Sequence, residues 1–186
     1  MLPYKHKITL TKEASLMTKR NDVVKFGGNP VTLIGNEIKV GDKAPNFTVL
    51  NPDLSPLSLN DIKGQVRVIS VVPSIDTSVC DIQTRWFNEE AAKIEGLTVL
   101  SISVDLPFAL KKYCAAQGIA AIKTVSDHKE LDFGLKYGFV IEELRLLSRG
   151  TIVIDKDDIV RHVEYVANIG DQPDYDKVMT VVKQYL

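Results

Sequence analysis

The sequence predicts an α/β fold: a central mixed sheet flanked by helices, with a β-hairpin at the N-terminal end. Three features carry that prediction. The runs VRVISVV (66–72) and LTVLSISV (97–104) are almost continuously apolar and rich in β-branched residues, as strands covered on both faces must be. A helix-period segment separates them, which makes a βαβ unit with parallel strands and a right-handed crossover. TIVID and IVRHVEYV are joined only by KDD, and so short a link permits only an antiparallel pair.

The elements follow in order. VVKF and VTLI flank GGNP, a turn-forming group, and read as the hairpin. GDKAPNFTVLN then leads through a loop containing Pro52 and Pro56, and a short LNDIKG turn, into VRVISVV. A helix is expected from about Thr77 to Lys93, with Val79, Phe87 and Ala91 facing the core. After LTVLSISV comes a helix near PFALKKYCAAQG, stopped by Gly118. A short strand AIKTVS, a helix around HKELDFGLKYG, the antiparallel pair and a terminal helix DYDKVMTVVKQYL complete the chain. Parallel strands followed by an antiparallel pair and a closing helix form the thioredoxin-like arrangement, with a cysteine heading the helix after the central strand.

Composition narrows the function. With 186 residues, 45% of them hydrophobic, the chain suits one domain with one core. Net charge is -1, so no basic excess points to nucleic acid or an anionic membrane. Two cysteines do not make a disulfide framework, and neither CxxC pairs nor ligand spacing among His6, His128 and His162 suggests a metal. No cofactor is expected. The DKDD run (155–158) lacks the spaced ligands of a calcium loop and reads as a solvated turn. Residues 1–20 have no clean period and read as a loose extension, leaving 21–186 as the domain. Lys12-Glu13-Ala14 fits translation of a purine-rich ribosome-binding sequence, with Met17 the natural start and residues 1–16 an artefact; N-terminal mass spectrometry tests this. No signal-peptide or membrane-length apolar run is seen, so a soluble, cytoplasmic protein is expected.

Cys80 stands where a buried strand gives way to a helix, and there the unpaired N–H groups and the helix dipole favour a thiolate. Asp81 opposes a second anion beside it, and Arg85, four residues on, is placed to pair with Asp81. A buried free cysteine is more often packing than catalysis, but Pro73 and Thr77 accompany this one. Thr77 is the expected N-cap by position, and its hydroxyl also reaches the space around the sulfur.

PSIDTSVC (73–80) fits the P-x-x-x-T-x-x-C signature of peroxiredoxins, and PSIDTSVCDIQTRWFNEEA resembles the bacterial thiol peroxidases among the atypical two-cysteine members. The resemblance continues through GGNPVTLIG, SISVDLPFALKKYCAAQGI and RGTIVIDKDDIV. It implies that Cys80 is the peroxidatic cysteine, that Cys114 is the resolving cysteine, and that Pro73, Thr77 and Arg149 shape the pocket. Without the resemblance, Arg149 is equally an ordinary strand-end charge. The implied reaction reduces hydrogen peroxide and organic hydroperoxides through a sulfenic acid at Cys80, closes a transient Cys80–Cys114 disulfide, and uses thioredoxin as reductant in a homodimeric antioxidant enzyme. Because disulfide geometry brings Cα atoms within about 7 Å, local unwinding around one or both cysteines is expected. Departures are Val72 where an aromatic residue is common, Ser78, and Trp86 at a position expected to be charged. Ile82 and Trp86 either form an apolar stripe outside the core face or mark a helix buried more widely. Two rival classes remain: a general thiol–disulfide oxidoreductase, disfavoured because Gln83 stands where CxxC needs its second cysteine, and a non-enzymatic holdase or binding protein on the same fold.

Overall fold

The computed structural model describes residues 18–186. The proposed start at Met17 and nearly all of the predicted extension lie outside the described residues; Lys19 and Arg20, assigned to the extension, open the first strand. Strands β1 (Lys19–Phe26) and β2 (Asn29–Ile34) form the predicted hairpin, turning on Gly27 and Gly28 at φ +57° and +82°, a region open to glycine without strain. The hairpin gains a third strand, β8 (Val140–Ile141), to make a small sheet of its own. Gly35 makes the crossing possible: its φ is +110°, and a Cβ there would lie 2.2 Å from the Leu135 carbonyl oxygen.

The main sheet has seven strands in the order β10-β9-β5-β6-β7-β3-β4. Its parallel centre is β5 (Val66–Val71), β6 (Leu97–Ser103) and β7 (Lys123–Ser126). Strands β9 (Gly150–Ile154) and β10 (Val160–Tyr165) add antiparallel on one side. On the other, β3 (Thr48–Leu50) pairs antiparallel with β7 and with β4 (Pro56–Ser58). The helices are α1 (Ser78–Ala91), α2 (Pro107–Gln117), α3 (Asp132–Lys136) and α4 (Tyr175–Tyr185).

Alternation along β5 divides the core. Val66 and Val68 pack with Phe87, Val178 and Val182 on the face holding α1 and α4. Ile69 and Val71 pack on the opposite face with Phe133, Phe139 and Leu147. Each such side chain, fully buried, contributes about 1.5–3 kcal/mol of apolar transfer. Between the apolar rows the register sets Thr151, Ser70, Ser101 and Thr124 side by side across β9, β5, β6 and β7, all buried.

Several expectations are corrected. Strands β3, within GDKAPNFTVLN, and β4, which starts at Pro56 and forms the sheet edge, are not among the expected elements, whereas the turn expected at LNDIKG does form, as a 3-10 helix over Leu59–Ile62 opened by a Ser58/Asp61 capping box. The helix expected around HKELDFGLKYG is only Asp132–Lys136, because Leu131 adopts φ +54° immediately before it. The DKDD turn is not fully solvated. Asp155 is buried and accepts the N–H groups of Asp157 and Ile159, while the fully buried Arg67 binds Asp158 at 2.7 Å and the Asp155 carbonyl. The buried side chains of α1 are Cys80, Gln83, Thr84 and Phe87, whereas Val79 and Ala91 are only partly covered. Trp86 stacks on Tyr175 at 4.1 Å between ring centroids, so α1 is buried more widely than one face, and Ile82 alone of the suggested stripe stays exposed.

Candidate active site

The site forms where β5 ends and α1 begins. The loop between them is held from below by Asp105, which accepts from Ser74 Oγ and Ile75 N at 2.8 Å each and from Ser103 Oγ at 2.7 Å. Thr77 occupies the N-cap position of α1 but makes no side-chain cap; its hydroxyl donates instead to the Ser74 carbonyl at 3.2 Å. The expected capping bond is therefore absent, which leaves the first-turn N–H groups without a side-chain cap from Thr77.

Cys80, in that first turn, is fully buried among Val72, Ile75 and Leu110. Arg149 reaches it from the strand end before β9, with Nη2 donating to Sγ at 3.2 Å. The rest of the guanidinium is also engaged: Nη1 donates to Gln83 Oε1 at 2.6 Å and Nε to the Ile169 carbonyl at 2.8 Å. Gln83 completes the line, since its Nε2 donates to Ser70 Oγ at 2.8 Å. Among the described residues no carboxylate pairs with Arg149, so this buried cation faces only neutral oxygens and the sulfur. Nearby, burial pushes the Tyr175 hydroxyl up to about 12, against the pull of Arg149.

A cavity of about 260 Å³ opens beside this group, lined by Phe26, Pro73, Thr77, Val79, Arg149 and Ile169 among others. Cys80 is not in the lining, so the sulfur sits behind the wall that Val79 and Arg149 share in making. The hairpin tip is fastened there by Lys25 N to the Ala167 carbonyl and Ile169 N to the Lys25 carbonyl. A larger cavity, of about 500 Å³, lies between β3 and residues 126–132 and contains neither cysteine nor Arg149, so size does not mark the chemistry here.

The structure thus brings together Cys80, Pro73, Thr77 and Arg149, four of the five predicted site residues. Cys114 stands apart. It lies in the last turn of α2, half-buried within the cluster of Phe87 and Val99, with Sγ 2.9 Å from Thr124 Oγ1. Both cysteines are free thiols. The expected Asp81–Arg85 pair forms at 2.9 Å. Gln83, Phe26 and Ile169 were not singled out as site residues; only a polar glutamine on the sulfur's side of α1 offered any signal.

The Redoxin family profile matches residues 39–179. A thiol peroxidase of Halalkalibacterium halodurans is 60% identical over 163 residues, covering 88% of this chain and 98% of its own. The chain belongs to the Redoxin family, in its thiol peroxidase branch. The family likeness extends to a thiol peroxidase of Bacillus subtilis, 51% identical over 86% of this chain and 96% of that one. A solved peroxiredoxin-like protein from Aquifex aeolicus superposes with TM-score 0.84 at 40% identity, covering 91% of this chain and 99% of its own. Membership makes the protein a thiol-dependent peroxidase on a thioredoxin-like fold, with a hydroperoxide as substrate. Among the described residues no helix is long and apolar enough to cross a membrane, and no acidic, histidine and cysteine cluster suits a metal ion.

Proposed function

We propose that Cys80 is the peroxidatic nucleophile and Cys114 the resolving thiol, with thioredoxin returning the disulfide to the dithiol in a cytoplasmic homodimer. The observation that carries this reading is the Arg149 Nη2 contact to Cys80 Sγ at 3.2 Å. A buried guanidinium without a carboxylate is costly unless an anion complements it, and a Cys80 thiolate is that anion.

The reaction follows from the donors. A hydroperoxide enters the cavity past Pro73, and the sulfur attacks its terminal oxygen in line with the O–O bond. An S–O bond forms as O–O breaks; the sulfur becomes a sulfenic acid, and the departing alkoxide or hydroxide takes a proton from water. Negative charge grows on the leaving oxygen, where Arg149 and the uncapped N–H groups of α1 stabilise it. Thr77, already donating to Ser74 O, turns its lone pairs toward the peroxide as an acceptor. Gln83 acts through Arg149 and is a positioning residue. It also stands at the third position after Cys80, where a CxxC oxidoreductase needs its second sulfur.

Thr77→Val is expected to slow sulfenic acid formation about thirtyfold, roughly 2 kcal/mol. Since Thr77 makes no capping bond, the melting temperature should stay put. A fall in melting temperature with an unchanged rate would reduce Thr77 to a structural role.

Cys114→Ser tests the resolving step. One equivalent of hydroperoxide should still be reduced in a single turnover, after which the cycle stalls; dimedone traps the sulfenic acid, and excess peroxide carries it to sulfinic acid. The parent should instead lose two hydrogens and yield a peptide linking Cys80 to Cys114. Normal thioredoxin-coupled turnover by Cys114→Ser would overturn the intramolecular route.

A further inference from the structure

One hydrogen bond joins the neighbours of the two cysteines. Tyr113, immediately before Cys114, donates its hydroxyl to Asp81 Oδ1 at 2.8 Å, and Asp81 immediately follows Cys80. The other carboxylate oxygen of Asp81 holds Arg85 at 2.9 Å, which fixes Asp81 on α1. The Tyr113 ring packs against both apolar groups, the one around Cys80 and the one that includes Cys114. Burial, and then the bond to Asp81, hold the phenol well above its ordinary titration range, so it remains a donor at any physiological pH.

Each cysteine is kept by its own cluster, and a disulfide needs the sulfurs about 2.05 Å apart, so at least one must leave its place. The end of α2 is the easier part to open: Ala115, Ala116 and Gln117 are exposed, and the helix stops at Gly118. Tyr113 lies just inside that end.

We propose that the Tyr113–Asp81 hydrogen bond is a clasp whose opening sets the rate at which Cys114 reaches the oxidised Cys80. Tyr113 is then a positioning residue for the second step and idle in the first. This rests on the reading of Cys114 as the resolving thiol. In the clasped state the sulfenic acid waits. When the clasp opens, the Cys114 sulfur bonds to the Cys80 sulfur, the S–O bond breaks, and the hydroxyl leaves as water with the Cys114 proton. A second hydroperoxide competes for the waiting sulfenic acid, transferring an oxygen to give sulfinic acid and an alcohol. Clasp strength therefore divides the oxidised enzyme between recycling and permanent loss.

Tyr113→Phe in the full chain tests this, with hydrogen peroxide as the probe and alkylating quench followed by intact-mass spectrometry as the readout. Disulfide should form about tenfold faster than in the parent or more, the worth of one hydrogen bond to a charged carboxylate, and the sulfinic fraction at excess peroxide should fall accordingly. The rate of the first oxidation should stay within about twofold. Asp81→Ala should give the same acceleration of the second step, and the double variant no more, since both remove one bond. Unchanged or slower disulfide formation in Tyr113→Phe, or additive effects in the double variant, would overturn the clasp. So would a change in sulfinic acid formation when Tyr113→Phe is placed on Cys114→Ser, because no disulfide can form there. Failure of the parent itself to give the Cys80–Cys114 peptide is a different result: it removes the resolving role of Cys114, and the clasp with it.

Discussion

Replacing Cys80 with serine is expected to abolish hydroperoxide reduction, by more than about a thousandfold, while the fold survives. The alcohol of serine stays protonated at neutral pH and offers no comparable nucleophile. Cys114 cannot take over, since its sulfur is hydrogen-bonded to Thr124 and lies in a different cluster from Cys80, without Arg149 beside it. Stability should change little: serine is smaller than cysteine, and Arg149 Nη2, now 3.2 Å from the sulfur, can donate to the new hydroxyl. The measurement is thioredoxin-coupled NADPH oxidation alongside a thermal melt. A residual rate above about 1% of the parent, with the melt unchanged, would remove Cys80 from its role.

Arg149→Met is expected to slow the first oxidation by about a hundredfold or more, the usual cost of losing a donor aimed at developing charge. Its effect on stability should be far smaller, because two contributions oppose each other. The variant leaves Gln83 Oε1 and the Ile169 carbonyl without a partner, which costs roughly 1–3 kcal/mol for each buried group. It also removes a buried charge, and exchanging such a group for an apolar one of similar size is often neutral or favourable. Rapid mixing with limiting peroxide, read as loss of the Cys80 thiol, gives the rate, and calorimetry gives the rest. An oxidation rate within threefold of the parent, in a protein that melts normally, would make Arg149 a structural residue.

How far the sequence revealed this arrangement depended on the range of the interactions. The continuous apolar runs at 66–72 and 97–104 and the stop at Gly118 were legible because they are local statements about burial and backbone. Strands β3 and β4 were not, since three residues each, near or containing a proline, carry almost no periodic signal. Asp155 and Asp158 read as solvated because their partner, Arg67, lies far away in the chain, on a strand where a charge is itself unexpected. Trp86 looked misplaced on α1 alone and becomes ordinary once Tyr175 of α4 lies against it. Gln83 was noticed only for not being a cysteine. Its place between Arg149 and Ser70 follows from the register of β5 with β9, which no local pattern encodes.

The Redoxin match begins at residue 39, after the hairpin ends at Ile34, yet Phe26 at the hairpin tip lines the cavity beside the Cys80 and Arg149 group. The tip is fastened to residues 167–169 through backbone groups, which any residue but proline supplies. On the proposed mechanism, then, one part of the wall that a substrate's organic portion meets, at Phe26 and Gly27, lies outside the segment that carries the atoms breaking its O–O bond. Mutation at Phe26 edits the guest list; mutation at Pro73, Thr77 or Arg149 edits the reaction itself. Selectivity can then change at the hairpin tip while the reacting residues stay the same, the two parts being held together by main-chain hydrogen bonds, by the pairing of β2 with β8 and by the packing of Val24 and Leu33 with Ile169.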